Sequence, residues 1–269
     1  MVKLLKQGKG ALFGWAARRS QKRLLARESI TSCDPEDFSA SLRDPNSYYL
    51  RSFQDFHRIL PDKLRRHRGY FREDGRGFGE DAFHVMWWRL FNRFQPSSFL
   101  EIGVYRGQVI SLISLLAKLE QRPCRVVGIS PFSSEGDAVS SYRIDLNYLD
   151  DTLAHFRCHD LPDPELIKAR STDRQAVSVI DSTHWDMIYI DGNHDYEIAA
   201  ADWRTCAAAV RPGGLIVLDD AGLETSYRPP RFATGGHPGP SRVAAEIDRS
   251  LFTEILQVGH NRVFQRNEA

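Results

Sequence analysis

The hydrophobic pattern of the chain changes near residue 97. Before that point apolar residues recur at helical spacing, as in the run over residues 83–94 that ends at Pro96. After it, short apolar runs alternate with helical stripes, which predicts a parallel sheet covered on both faces by helices. The predicted strands span residues 99–102, 125–129, 165–169, 185–190 and 215–218.

The C-terminal stretch "FTEILQVGHNRVFQR" has the pattern of two strands around a turn at Gly259. It predicts an antiparallel strand inserted at the end of the sheet. A helical stripe from Trp203 to Val210 stops before "RPGG", and another helix starts at Ser241. We therefore predict an α/β fold with a Rossmann-like, doubly wound, mostly parallel sheet, residues 79–269, preceded by a helical, basic N-terminal extension, residues 1–78.

Charge and cysteine content exclude several classes of protein. The formal net charge of the 269 residues is +1, so we expect no nucleic-acid partner. Basic residues are concentrated before residue 30, and we interpret this arm as solvated, with contact to an anionic membrane or a partner as the alternative. The arm lacks a secretion-signal pattern, and the four cysteines are too widely spaced for a zinc site or a disulfide framework. We expect a reduced, cytoplasmic protein.

The first predicted strand ends in the sequence "LEIGVYRG", which places Glu101, Gly103 and Gly107 in the turn to the next helix. Ligands of such sheets bind beyond the carboxyl ends of the strands, and glycine allows the backbone to approach a ligand closely. The spacing E-x-G-x-x-x-G differs from the G-x-G-x-x-G that holds a pyrophosphate. It suits a ligand without phosphates, including a cationic one, although tight packing of helix on strand is an alternative reason for both glycines.

Further polar residues follow the fourth and fifth predicted strands. Asp191 ends the fourth strand, with His194 three residues later, and Asp219 and Asp220 end the fifth. Because adjacent parallel strands lie about 4.8 Å apart, we expect these acids to converge at one edge of the cleft. Converging carboxylates need a cation or a proton among them, and oxygen ligands favour Mg²⁺, with Mn²⁺ or Ca²⁺ as alternatives. The other interpretation is that the acids cap turns or bind backbone amides.

Together these stretches resemble the class I S-adenosylmethionine-dependent methyltransferases. "LEIGVYRG" is similar to the first motif of the catechol and caffeoyl-CoA type O-methyltransferases, and "WDMIYIDGNHDYEIAAADW" with "VRPGGLIVLDD" is similar to their later motifs. The chain is more similar still to a bacterial branch that includes macrolide and aminocoumarin sugar O-methyltransferases. The resemblance covers about residues 80–265 and identifies the region 79–269 as an S-adenosylmethionine-binding domain.

The resemblance implies roles for individual residues. Members of the family usually end the second strand with an acid that binds the ribose of the cofactor, whereas this chain has Ser130, with Glu135 or Asp137 as alternatives from the following loop. Asp173 falls where the family contacts the adenine. The implied cofactor-binding residues are Glu101, Gly103, Gly107, Ser130 and Asp173, and the implied metal ligands are Asp191, Asp219 and Asp220.

The function implied is metal-assisted O-methylation of a hydroxyl on a small molecule, such as a sugar, a polyketide or a phenol, with S-adenosylmethionine as methyl donor. Asp191 and His194 are the candidate general bases, and the alternative for His194 is a structural residue at a helix start. Two other functions stay open: a non-catalytic cofactor-binding protein, which the departure at Ser130 favours, and a nicotinamide-dependent oxidoreductase, which lacks its third glycine here. A homo-oligomer also stays open.

The segment 222–240 follows the Asp219–Asp220 pair and is rich in glycine and proline. A loop of this length without regular structure is typical of an active-site lid. Arg228, Arg231 and His237 are its candidates for substrate contact, with ordinary solvent exposure as the alternative for each. His260, in the terminal hairpin, is interpreted as a turn residue.

Overall fold

The computed structural model of the chain describes residues 2–134, 136–137, 139–140 and 142–268, with side chains from residue 14 onward. Its helices are α1 (Val2–Leu25), α2 (Phe38–Arg43), α3 (Pro45–Arg58), α4 (Asp62–Arg72), α5 (Asp81–Phe94), α6 (Gln108–Leu119), α7 (Tyr148–Cys158), α8 (Arg174–Ile180), α9 (Tyr196–Ala209) and α10 (Pro238–Glu246), with a 3-10 turn at Glu73–Gly75. Its strands are β1 (Ser98–Ile102), β2 (Arg125–Ser130), β3 (Glu165–Lys168), β4 (Trp185–Ile190), β5 (Val210–Leu218), β6 (Phe252–Val258) and β7 (Asn261–Arg266). Within the described residues, no helix is both long enough and apolar enough to cross a bilayer.

The strands form one sheet of seven in the order β3-β2-β1-β4-β5-β7-β6. β1 to β5 pair in parallel, and β7 pairs antiparallel with both β5 and β6. The predicted fold class, including the antiparallel strand inserted near the end of the sheet, is confirmed. The chain order reverses between β1 and β4, and such a switch point opens a crevice at the carboxyl ends of the strands.

The fifth strand begins earlier than the sequence pattern indicated. Val210 was predicted at the end of a helix and the strand was predicted to start at residue 215, and both predictions were wrong. Val210 is fully buried and pairs with Trp185 of β4, so the ladder continues through "RPGG" with a register shift. Gly213 absorbs this irregularity with a φ of 74°. The last helix also begins before the predicted Ser241, at Pro238.

Two hydrophobic cores cover the two faces of the sheet. Alternate strand residues such as Leu100 and Ile188 face α8, α9 and α10, whereas Phe99 and Met187 face the other helices. The second core includes Tyr48 and Phe53 of α3 among many residues from the N-terminal extension. The N-terminal helices therefore form a layer packed on the sheet, next to the crevice.

The end of α1 and the segment after it are fixed to this layer. The side-chain amide of Gln54 in α3 donates to the carbonyl oxygen of Leu24 at 3.1 Å, and Leu24 itself is buried. Trp15, Arg18 and Arg19 are exposed. The described face of the basic helix is therefore solvated.

A buried polar network joins α4, α5 and α6 below the crevice. His67 Nδ1 lies 3.2 Å from His84 Nε2, and His67 Nε2 lies 2.9 Å from the hydroxyl of Ser111. Burial lowers the pKa of His84 to about 3 and that of His67 well below its ordinary value. Both imidazoles are therefore neutral in the folded protein at neutral pH.

These histidines are expected to make the fold sensitive to acid. Unfolded histidine binds a proton near pH 6.5, whereas folded His84 does so only near pH 3, so stability is lost as the pH falls below 6.5. For His84 alone the loss between pH 6.5 and 5 is about 2 kcal/mol. Urea unfolding at both pH values should show a smaller loss in a His84→Gln variant than in the wild type. Equal losses in the two proteins would contradict this account.

Candidate functional site

A cavity of about 770 Å³ lies at the carboxyl ends of the central strands. Residues that end β1, β2, β4 and β5 line it, among them Glu101, Ser130 and Asp219. The opposite wall comes from residues 76–80 and from Phe83 and Trp87 of α5. The switch point of the sheet and the N-terminal layer thus enclose one space of a size that suits a nucleoside-sized ligand together with a second small molecule.

Glu101 lies at the bottom of this cavity and is only 3% exposed. Burial raises the pKa of its carboxyl to about 8, although the backbone N–H of Ile110 donates to it. Its Oε2 atom has no hydrogen-bond partner among the described residues. A buried carboxyl oxygen without a partner is costly, and a cationic or N–H donor group of a ligand would satisfy it.

The two motif glycines are explained by packing. Gly103 has a φ of 96°, and a Cβ atom there would lie 1.8 Å from the carbonyl oxygen of Asp191. Only glycine therefore lets the β1 turn pass against the end of β4. Gly107 is the N-cap residue of α6 and is not among the residues that line the cavity. The packing alternative for both positions fits these contacts, and Gly103 also lines the cavity.

Two of the predicted acids face each other across the ends of β4 and β5. The hydroxyl of Tyr189 lies 3.1 Å from Asp191 Oδ2 and 2.8 Å from Asp219 Oδ2, and its single proton can be donated to one of them at a time. Burial, followed by the charges of Asp219, Asp220 and Glu101, raises the pKa of Asp191 well above its ordinary value. The raised pKa favours the protonated form of Asp191.

His194 lies between two carboxylates. Its Nδ1 is 2.6 Å from Asp137 Oδ2, its Nε2 is 2.7 Å from Asp220 Oδ2, and its backbone N–H also donates to Asp137. Burial opposes the charged imidazolium, but the hydrogen bonds and charges of Asp220 and Asp137 outweigh burial and raise the pKa of His194 to about 9. His194 is therefore protonated at neutral pH.

Two further histidines complete the cluster. His237 lies with its ring centroid 4.1 Å from that of His194 and its Nε2 4.0 Å from Asp220 Oδ2. His260 is 7% exposed, and its Nε2 and Nδ1 lie 3.4 Å from Asp219 Oδ1 and Asp220 Oδ1 respectively. The hydroxyl of Thr234 lies 2.9 Å from His260 Nδ1. His260 is thus at the predicted turn, but its side chain contacts the acids.

From the sequence, His237 was only one of three loop candidates for substrate contact, and His260 was interpreted as a turn residue. His237 stands in a proline-rich loop, and His260 stands in a hairpin far along the chain, so neither has a motif around it. The one available signal was the position of His237, which lies in the loop after the acids that follow β5. Among the other loop residues, Arg228 donates to backbone oxygens of Thr225 and Tyr227.

The predicted ribose and adenine contacts are only partly at the cavity. Ser130 lines it and is 8% exposed. Asp137 is committed to His194, and Glu135 lies outside the described residues. Asp173 is exposed and accepts from the backbone N–H of Arg170, and the structure places the neighbouring residues 171 and 172 in the cavity wall instead.

The donor groups that come together differ from the expected all-oxygen set. Among the described residues, donor atoms within 4.8 Å of one another form two groups, one of His194, Asp220 and His237 and one of Asp219, Asp220 and His260. Asp191 belongs to neither group, because its carboxyl pairs with Tyr189 and Asp219. Carboxylates combined with imidazoles suit a divalent ion, and the predicted ligands Asp219 and Asp220 lie where they were expected.

Residues 100–221 match a protein family described as a methyltransferase domain. This segment runs from within β1 to the residues after β5, and it includes Glu101, Asp191, Asp219 and Asp220. This match supports the resemblance to methyltransferases that the strand-end motifs show. The matched segment is the part of the chain that carries Glu101 in β1, Asp191 after β4 and the Asp219–Asp220 pair after β5.

The chain is also similar to one curated protein and to solved methyltransferase structures. Uncharacterized protein R132 of Acanthamoeba polyphaga mimivirus is 25% identical over 175 residues, which are 64% of this chain and 70% of that protein. The structure of the methyltransferase PaMTH1 of Podospora anserina, bound to SAH, is 16% identical with a TM-score of 0.55, covering 78% of this chain and 89% of that one. The O-methyltransferase TomG of Streptomyces achromogenes, involved in tomaymycin synthesis and solved with SAM, is 14% identical with a TM-score of 0.51, covering 85% and 99%. At these identities the structures share the fold of the methyltransferase domain.

A Glu101→Gln variant is expected to unfold less readily than the wild type at high pH. The folded protein keeps the Glu101 proton up to about pH 8, whereas unfolded glutamate releases it near pH 4.5, so wild-type stability falls as the pH rises between these values. The neutral amide removes this loss, and the variant should gain about 4–5 kcal/mol over the wild type at pH 8.5.

Urea unfolding at pH 5 and pH 8.5 measures this gain. At pH 5 the two proteins should differ little, because Glu101 is protonated in the folded wild type. A variant that is less stable than the wild type at pH 8.5 would show that the carboxylate is satisfied in the fold.

Proposed function

We propose that the protein transfers a methyl group from S-adenosylmethionine to a hydroxyl of a small molecule such as a sugar, a polyketide or a phenol. The observation that carries the proposal is one cavity that is lined both by Glu101, whose Oε2 atom has no hydrogen-bond partner among the described residues, and by the acids after β4 and β5. A donor held at Glu101 and an acceptor held at the acids would meet there. TomG, an O-methyltransferase in complex with SAM, supports oxygen as the acceptor atom.

The cofactor fits the residues at the end of β1. Within the described part of the chain Glu101 Oε2 has no partner, and a cationic ammonium group of an amino acid would both satisfy it and favour its ionised form. Gly103 has no side chain, so a ligand can lie directly against the backbone of this turn. Ser130 supplies a hydroxyl for a ribose, and the turn closed by Asp173 presents residues 171 and 172 to an adenine. Gly107 starts α6 and so fixes the shape of this turn.

The acceptor region combines acids with aromatic walls. Phe78 is 69% exposed at the edge of the cavity, and its ring centroid lies 5.0 Å from that of Tyr105. Trp87 and Phe83 line the wall opposite the strand ends. This arrangement suits a small molecule with an apolar or ring-shaped body and hydroxyl groups directed at the acids.

The transfer is a displacement in which positioning supplies much of the rate. The carbon–sulfur bond of the donor breaks as the oxygen–carbon bond forms, the hydroxyl proton passes to a basic group, and the products are a methyl ether and S-adenosylhomocysteine. A divalent ion at Asp219 and Asp220, when bound, would lower the pKa of the acceptor hydroxyl and orient it.

We assign proton acceptance to Asp191. Its carboxyl is in the cavity wall, and burial, followed by the charges of the neighbouring acids, makes its ionised form a stronger base than an ordinary carboxylate. Positive charge that enters the cavity would favour the ionised form of Asp191. His194 has both ring nitrogens within hydrogen-bond distance of carboxylates, so it suits the binding of charge better than the acceptance of a proton.

Isothermal titration with S-adenosylmethionine and assay of S-adenosylhomocysteine over a panel of sugars, polyketides and phenols test the proposal. Glu101→Gln should weaken cofactor binding about tenfold, because it loses a charge-assisted hydrogen bond. Asp191→Asn should bind cofactor normally and lose at least about 100-fold in turnover. Glu120→Gln, at the exposed far end of α6, is the matched control and should change neither quantity. Absence of cofactor binding at millimolar concentration would overturn the proposal.

A further inference from the structure

Three side chains on different segments direct a donor atom at one point in the cavity wall. They are His194 after β4, Asp220 after β5 and His237 just before α10. Asp220 Oδ2 lies 2.7 Å from His194 Nε2 and 4.0 Å from His237 Nε2. Asp220 has a φ of 54°, an uncommon value that a short polar side chain tolerates and that directs its carboxylate toward the histidines.

The first histidine is oriented by a carboxylate behind it. Asp137 accepts hydrogen bonds from the ring Nδ1 of His194 at 2.6 Å and from its backbone N–H at 2.8 Å. The Nε2 atom is therefore the ring nitrogen on the side of Asp220. Metal-binding histidines in proteins are held in this way, with a carboxylate on the ring nitrogen that does not bind the ion.

The second histidine is held by its own backbone. The N–H of His237 donates to the carbonyl oxygen of Asp220 at 2.8 Å. The flanking glycines lie close to the other two residues: a Cβ at Gly236 would be 2.3 Å from the Asp220 carbonyl oxygen, and a Cβ at Gly239 would be 2.1 Å from that of His194. The segment that carries His237 is thus fitted against the backbones of both partners before any ligand binds.

The three side chains are also open to the cavity. The exposed fraction of the side chain is 18% for His194, 36% for His237 and 15% for Asp220, and all three residues line the cavity. Two imidazole rings with centroids 4.1 Å apart beside one carboxylate are well suited to share a cation. An ion held there would keep coordination positions on the cavity side.

We propose that His194, His237 and Asp220 form a two-histidine, one-carboxylate site for a divalent transition-metal ion. Two nitrogen donors and one oxygen donor favour ions such as Mn²⁺, Fe²⁺, Co²⁺ or Zn²⁺ over Mg²⁺, which prefers oxygen ligands. The role of the ion in methyl transfer rests on the proposed function, whereas its binding is measured without cofactor or acceptor.

The experiment is titration of the full chain, stripped with a chelator and dialysed, with Co²⁺ and with Mg²⁺ by calorimetry. The visible absorption of Co²⁺ reports its ligands. Co²⁺ should bind at least about 100-fold more tightly than Mg²⁺. His237→Ala should weaken Co²⁺ binding at least about tenfold and change its absorption spectrum. His184→Ala removes an exposed imidazole before β4 and is the matched control, with Co²⁺ binding expected to equal that of the wild type.

Equal affinity for Co²⁺ and Mg²⁺, absence of Co²⁺ binding, or equal Co²⁺ affinity in the His237→Ala and His184→Ala variants would each overturn the proposal. His237 is partly exposed, so its variant is expected to fold, and thermal unfolding of both variants checks this. Formation of S-adenosylhomocysteine is assayed separately, so a failed metal site and a failed methyltransferase give different results.

Discussion

The compensation of buried negative charge at the ends of the central strands is the constraint on which the rest of the site depends. Glu101, Asp191, Asp219 and Asp220 converge because each ends or follows a strand of one parallel sheet. Part of the charge is removed by protons, as the raised pKa values of Glu101 and Asp191 indicate, and part is balanced by histidines. A ligand that brings positive charge can replace either kind of compensation.

The N-terminal layer is part of this balance. Glu80, at the start of α5, accepts a hydrogen bond from the hydroxyl of Tyr49 at 2.6 Å and one from the backbone N–H of Thr234 at 3.2 Å. Thr234 in turn contacts His260, which lies between Asp219 and Asp220. The first 80 residues are thus connected to the acids after β5 through a few hydrogen bonds, as well as through the shared hydrophobic core.

The strands and the acids that follow two of them could be predicted from the sequence, because hydrophobic periodicity and the residues at strand ends are local properties. The roles of His237 and His260 could not, because they depend on the path of a proline-rich loop and on the register of a hairpin with β5. Val210 was assigned to a helix because its apolar spacing fits both a helix and a buried strand, and only the partner Trp185 decides between them. The contact between Asp137 and His194 could not be predicted either, because it depends on the position of the loop after β2 beside the end of β4.

The close fit of the segment around His237 has a consequence for how the range of acceptors can diverge among related proteins. Changes in that segment that reshape the pocket would also displace His237 and disturb the electrostatics of the strand ends. Phe78 and Tyr142, which are 69% and 37% exposed on the cavity wall, do not have this double role. Substitutions on the aromatic side of the cavity would therefore change the pocket with less disturbance of the acids than substitutions on the histidine side. This holds both for evolution and for redesign in the laboratory.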